Sequence, residues 1–231
     1  MLLVAADTSG KNGSIALARA PEFSGPDPDR VEILEVVPLE GGTFSAQLIP
    51  QIAALLSKHG FRKEDVAGYA VASGPGSFTG LRVGLAAIKA LGEVTGRPIA
   101  AVSLLEVLAL LTPTTRPVIA AIDAGRGEAY AGEYRIDDSH QAIMVSERLL
   151  TKNELLEAAR GLLVVTADAG LAELARAAGL VVTKTESPRS DAIARLGWTM
   201  LLAKRTVSPE DLEANYIRRS DAEIFSKPQT R

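Results

Sequence analysis

Two aspartates and one glycine-rich turn are where residue type and spacing in this chain point to chemistry. Asp7 ends the apolar run Leu2 to Ala6 and is followed by Thr8-Ser9, while Asp123 ends the run Val118 to Ile122, 116 residues further on. Between them lies Ser73-Gly74-Pro75-Gly76-Ser77-Phe78-Thr79-Gly80-Leu81-Arg82-Val83-Gly84. This reads as a strand-to-helix turn, because Val66 to Ala72 is β-rich and Leu81 to Val94 repeats apolar residues at helical spacing. Gly74, Gly76 and Gly80 can take positive φ or admit a backbone or ligand, Pro75 fixes one φ, and Thr79 can cap the helix behind it. Such a turn aims amide hydrogens outward at a positive helix end, where a phosphate or carboxylate would sit. It equally serves as a tight corner, since it matches neither GxxxxGK[ST] nor a full GxGxxG. The paired carboxylates could hold a metal-bound nucleotide or act as acid and base, or each could be a turn residue and nothing more. The nucleotide- or anion-binding candidates are therefore Asp7, Thr8, Ser9, Gly74, Gly76, Ser77 and Asp123.

Other chemistries are excluded. The chain has no cysteine, which removes disulfides, thiolate metal sites and a cysteine nucleophile. Its two histidines, His59 and His140, have no second histidine at i+4, and no HExxH occurs, so no metal site is expected. Ser77 is not in a GxSxG elbow, and no catalytic residue is assigned. A net charge of -3 argues against a surface that grips nucleic acid unaided, so any contact with RNA would run through a partner. No apolar run is long enough to span a membrane and the start lacks a basic flank, so a soluble, cytoplasmic protein is expected.

The elements that would position these residues repeat. Three strands, a helix, a strand, a helix, a strand and a helix are read from Leu2 to Leu111, and the same succession runs from Val118 to Lys204. A short helix at Ser208-Pro209-Glu210-Asp211 and a loose tail at 227–231 follow, and 21–29 is a proline-rich loop. An α/β protein of two tandem mixed-sheet lobes is expected, residues 1–102 and 103–231, with Asp7 and Asp123 facing a cleft. The helix after the glycine turn has only Arg82, Lys89 and Glu93 as a thin polar stripe, so it needs cover on two sides. One side can be its own sheet and the other is either the helix Thr43 to His59 of the same chain or another protein; on the second reading the partner interface would be Leu48, Ile52, Leu55, Leu81, Arg82, Leu85, Ile88 and Lys89. On that expectation Leu85→Glu would leave a folded monomer unable to pair.

At these residues the chain resembles the TsaB (YeaZ) family. The likeness is carried by Ala6-Asp7-Thr8-Ser9, the Ser73 to Gly84 block, Val102-Ser103-Leu104, Ile122-Asp123-Ala124, Gly127-Glu128-Ala129-Tyr130 and Tyr216-Ile217-Arg218. It implies the actin-like ATPase (ASKHA) fold of two RNase H-like lobes and a role in threonylcarbamoyladenosine formation on tRNA. The family implies a non-catalytic subunit that activates the transferase TsaD together with the ATPase TsaE, and that forms a homodimer when TsaD is absent. It admits ATP or ADP within the complex and names no cofactor of this chain's own. Phe44 stands where many relatives carry a histidine, and Ala214-Asn215 replaces a Pro-Val before the terminal tyrosine. The competing expectation is an actin-like ATPase or small-molecule kinase working through Asp7, Asp123 and the glycine turn.

Overall fold

The structure, a computed structural model, describes residues 1–21 and 30–217. Residues 22–29 of the expected loop, Arg218 of the terminal motif and the expected tail at 227–231 lie outside the described residues.

Near-continuous apolar runs build the first sheet, whose strands Leu2–Asp7, Gly13–Arg19 and Val66–Gly74 are buried on both faces. Strands β1 (Leu2–Asp7), β2 (Gly13–Arg19), β3 (Glu32–Leu39), β4 (Val66–Gly74) and β5 (Ile99–Ser103) lie in the order β3-β2-β1-β4-β5. β1 pairs antiparallel with β2, β2 antiparallel with β3, and β1 and β5 run parallel to β4. Helices α1 (Phe44–Lys58) and α2 (Phe78–Thr95) supply the parallel crossovers. They pack on the sheet face that carries Val4, Ala6, Ile15, Leu17, Tyr69 and Val71. The alternate face carries Ala5 and Ala70, and α6 (Ser190–Leu202) lies on it. There Gly197 sits so close that an added Cβ would meet the Ala70 Cβ at 2.4 Å.

α3 (Leu104–Leu110) leads to the second sheet. Strands β6 (Val118–Gly125), β7 (Glu128–Ile136), β8 (Ala142–Thr151), β9 (Leu163–Thr166) and β10 (Val181–Lys184) lie in the order β10-β9-β6-β7-β8. Read from the other edge this is the order of the first sheet, so the repeat seen in the sequence is a repeat of topology. α4 (Lys152–Ala158) opens with the capping box expected at Thr151 and Glu154, and α5 (Ala169–Ala177) is capped by Asp168. Two mixed five-stranded sheets of one topology, each with helical crossovers, are the two RNase H-like lobes expected of the actin-like fold.

The chain divides into compact units differently from the expected 1–102 and 103–231. Among the described residues, one unit is Met1–Val107 with Glu186–Ala214, and the other is Leu108–Thr185 with 215–217. The last helix of the second repeat has returned to the first sheet. The Ser190 amide donates to Ser14 Oγ at 3.0 Å, the Val207 amide to the Ile99 carbonyl at 2.9 Å, and Arg205 forks onto buried Glu106 at 3.1 and 3.2 Å. The expected helix at 208–211 is a turn in which the Ser208 hydroxyl and the Asp211 carboxylate bind each other and the Asp211 amide donates to Ser208 Oγ. These bonds satisfy locally what a helix would satisfy four residues on. No helix among the described residues is long and apolar enough to cross a membrane.

Gly197→Ala should cost about 1–3 kcal/mol, because the new methyl forces α6 off β4 in a packed layer. Chemical denaturation should show a lower midpoint with an unchanged slope.

Candidate functional site

The glycine turn is filled by the chain itself. β1 ends at Asp7, whose Oδ1 accepts the Ser9 amide at 2.9 Å, and the Ser9 carbonyl accepts the Ser77 amide at 2.6 Å. Thr8 donates its hydroxyl to the Gly80 carbonyl at 2.7 Å. A Cβ would meet Ser9 O at 2.6 Å from Gly76, Thr8 O at 2.0 Å from Gly80 and Thr8 Oγ1 at 2.3 Å from Gly84. These glycines, four residues apart, form the seat of the Thr8-Ser9 turn. Gly74 alone of the turn's glycines needs positive φ, at 127°. Ser77, not Thr79, caps α2, its Oγ accepting the Gly80 amide. The helix therefore starts three residues earlier than Leu81.

Of the anion-site candidates, Asp7, Thr8, Ser9, Gly74, Gly76 and Ser77 come together here, with Asp7, Thr8 and Ser9 buried. Burial pushes the Asp7 carboxyl above its ordinary value of 3.8, partly offset by the Ser9 hydrogen bonds. Asp7 pairs across the strands with Ser14, so both face α6 and its Ser190, beside the Arg189–Asp191 ion pair at 3.3 Å. Asp123 belongs to the second unit and is different. Its side chain is 39% exposed and lies 3.7 Å from the Lys152 ammonium, below a turn in which Gly125, Arg126 and Gly127 all have positive φ. Among the described residues no three acids or histidines form a group that could hold a metal.

A cavity of about 750 Å³ opens in the first unit beside the seat, lined by Lys11, Asn12, Gly41, Gly42, Ser45 and Thr79 among others. The first turns of α1 and α2 carry no acid. Their positive ends thus border a space that also holds a lysine. Sequence reasoning missed Lys11, Gly41 and Ser45 because the β1–β2 turn and the start of α1 lie some thirty residues apart in the chain.

The expected interface is corrected by burial. Leu48, Ile52, Leu55, Leu81, Leu85 and Ile88 are between 0% and 6% exposed and form the core under α1 and α2. Sequence periodicity picked out the largest aliphatic residues, which are the ones a sheet covers first. Lys89 is half-buried and donates to the Glu210 carbonyl at 3.1 Å. Only Arg82 of the expected set is on the outer surface, its guanidinium stacked 3.7 Å from the centre of the Phe78 ring. Around it the outer ridge of the two helices is apolar: Ile49 43% exposed, Phe78 41%, Val94 72%, with exposed Ala53, Ala86 and Ala90. A groove of about 560 Å³ runs between the helices, lined by Ile49, Phe78, Arg82, Val83 and Ala86. The spacing 78-82-86-90 marks this stripe in the sequence, but alanines hid it.

Residues 36–191, more than half of the chain, match the family described as TsaD: tRNA N6-adenosine threonylcarbamoyltransferase. The chain belongs to this family, among its TsaB-type members. It is 34% identical over 136 residues to the tRNA threonylcarbamoyladenosine biosynthesis protein TsaB of Bacillus subtilis, covering 58% of this chain and 56% of that one. The chain thus spans little more than half of that relative's length. To TsaB of Escherichia coli it is 28% identical over 189 residues, 76% of this chain and 81% of that one. YeaZ from Pseudomonas aeruginosa superposes with a TM-score of 0.70 at 24% identity, covering 93% of this chain and 100% of that one. That likeness concerns the fold, the same one found in this TsaB-type chain.

A raised carboxyl pKa means the folded state holds its proton more tightly, so the stabilisation is present at low pH and lost as pH rises through the folded value. Urea midpoints should accordingly fall in the wild type relative to Asp7→Asn as pH rises above the ordinary value of 3.8, with the gap closing below it. A gap independent of pH would contradict the burial of an ionisable group there.

Proposed function

We propose that this chain is a non-catalytic subunit required for threonylcarbamoyladenosine formation on tRNA, pairing with and activating a TsaD-type transferase together with a TsaE-type ATPase. In the absence of that partner it pairs with a second copy of itself. The observation that carries the proposal is the apolar outer ridge of α1 and α2, still exposed after the core beneath it has closed. Soluble monomers rarely leave such a strip bare, and a ridge of two helices is long enough to contribute about 800 Å² to an interface of ordinary size. Arg82 over Phe78 gives the strip a charged, stacked centre of the kind that dominates binding energy. Family membership and the TsaB relatives support the same assignment. The chain contacts tRNA only through the complex, in keeping with its net charge of -3.

The cavity at Lys11 favours a second possibility, nucleotide binding by this chain with ATP turnover of its own. Purified protein that hydrolyses ATP, with loss of turnover in Lys11→Ala and retention of pairing, would establish it.

Ile49→Asp combined with Phe78→Asp should keep the fold and weaken partner binding by about 2 kcal/mol or more, read by titration against a TsaD-type subunit. Cells carrying only that variant should lose threonylcarbamoyladenosine from their tRNA nucleosides; normal levels with the ridge disrupted would refute the docking role. Leu85→Glu should instead abolish the folded state of the first unit, seen as lost helical circular dichroism, because it buries an unpaired charge in the core.

A further inference from the structure

We infer that Asp7 is a positioning residue for the docking ridge, acting on α2 through Ser9 and Ser77 without touching a partner. The inference rests on the docking role proposed above. It starts from a continuous relay. Asp7 Oδ1 holds the Ser9 amide at 2.9 Å, which fixes the peptide whose carbonyl takes the Ser77 amide at 2.6 Å. Ser77 is the cap of α2, and Phe78 follows it directly. The neighbouring Thr8 locks the next turn by its hydroxyl on the Gly80 carbonyl at 2.7 Å and by filling the space beside Gly84.

Helical geometry turns this seat into a lever. At 3.6 residues per turn, Phe78 and Arg82 each stand two residues from Gly80, about 200° around the helix. The face that receives the Thr8-Ser9 turn is thus opposite the face that carries the stacked Arg82 and Phe78. Any shift of the turn moves α2 along the line joining seat and ridge. The seat itself is packed to contact and leaves no slack to absorb it. Asp7 is the group that holds the turn in its bend, and its burial follows from that task. Its cross-strand neighbour is Ser14 on β2, which accepts the Ser190 amide from the start of α6. An acid in this place serves as an acceptor, a job that asparagine can also perform.

Four full-length proteins are compared: Asp7→Ala and Asp7→Val, which offer no acceptor to the Ser9 amide, Asp7→Asn, which does, and Gly197→Ala as a destabilised control on the opposite sheet face. Amide hydrogen exchange at Ser77 and Phe78 is read in the free protein, and affinity is read by titration with a purified TsaD-type subunit. Asp7→Ala and Asp7→Val should exchange faster at both amides and bind about tenfold more weakly. Asp7→Asn should match the wild type in both, and Gly197→Ala should bind normally. Wild-type affinity in Asp7→Ala or Asp7→Val, failure of Asp7→Asn alongside them, or equal weakening in Gly197→Ala overturns the inference. If the wild type itself does not bind the subunit, the docking role fails, and unchanged exchange at Ser77 in Asp7→Val would then separately dispose of the relay.

Discussion

The seating of the Thr8-Ser9 turn on the glycines of α2 is the contact on which the first unit depends. A carbonyl that would lie 2.0 Å from any Cβ at position 80 can only be accommodated by glycine, and two further glycines extend that seat by one turn each way. The hydrogen bonds at 2.6 and 2.7 Å then tie the end of the central strand to the start of the longest helix. Through that tie the sheet, the helix cap and the outer ridge become one mechanical object. The glycine pattern that looks like an anion cradle in the sequence is therefore already occupied by protein.

The two halves show how one topology can serve two ends. Asp7 and Asp123 occupy the same place in repeated sheets, each at the end of the first strand. Asp7 is buried and hydrogen-bonded to its own turn, with its carboxyl held above the usual range. Asp123 is partly exposed beside Lys152 and below a turn with Arg126 at φ 54°. A carboxylate that must coordinate a ligand needs access and a low cost of ionisation, and Asp7 has neither. Its environment suits support of the backbone.

Burial also decides which apolar residues can act outwardly. In α1 and α2 the leucines and isoleucines at helical spacing go inward, each worth about 1.5–3 kcal/mol of transfer free energy, and their loss would be a loss of fold. What remains for recognition is a ridge of mixed size, Ile49, Phe78 and Val94 among alanines, with Arg82 in its centre. Small residues there allow close approach of another helix. The same economy appears on the other sheet face, where Gly197 lets α6 lie directly on Ala70.

Much of the scaffold was legible in the residues alone. The β-rich apolar runs, the Thr151–Glu154 capping box and the repeated succession of elements are local signals, set by residue type and backbone preference within a few residues. The family block from Ser73 to Gly84 was equally plain. Local pattern also named the turn residues Asp7, Thr8, Ser9, Gly76 and Ser77, because glycine and hydroxyl residues near strand ends have few other uses. What it could not supply was the other side of each contact. Whether Leu85 faces the sheet or a partner depends on which face of α2 the β1 turn occupies, and that turn is some seventy residues away. The return of α6 to the first sheet, the convergence of Lys11, Gly41 and Ser45 on one cavity, and the burial of Asp7 against exposure of Asp123 are likewise products of distant segments meeting. Period and propensity act along the chain, whereas burial and access are set by what packs across it, so the elements were written in the sequence and their outward faces were decided by the fold.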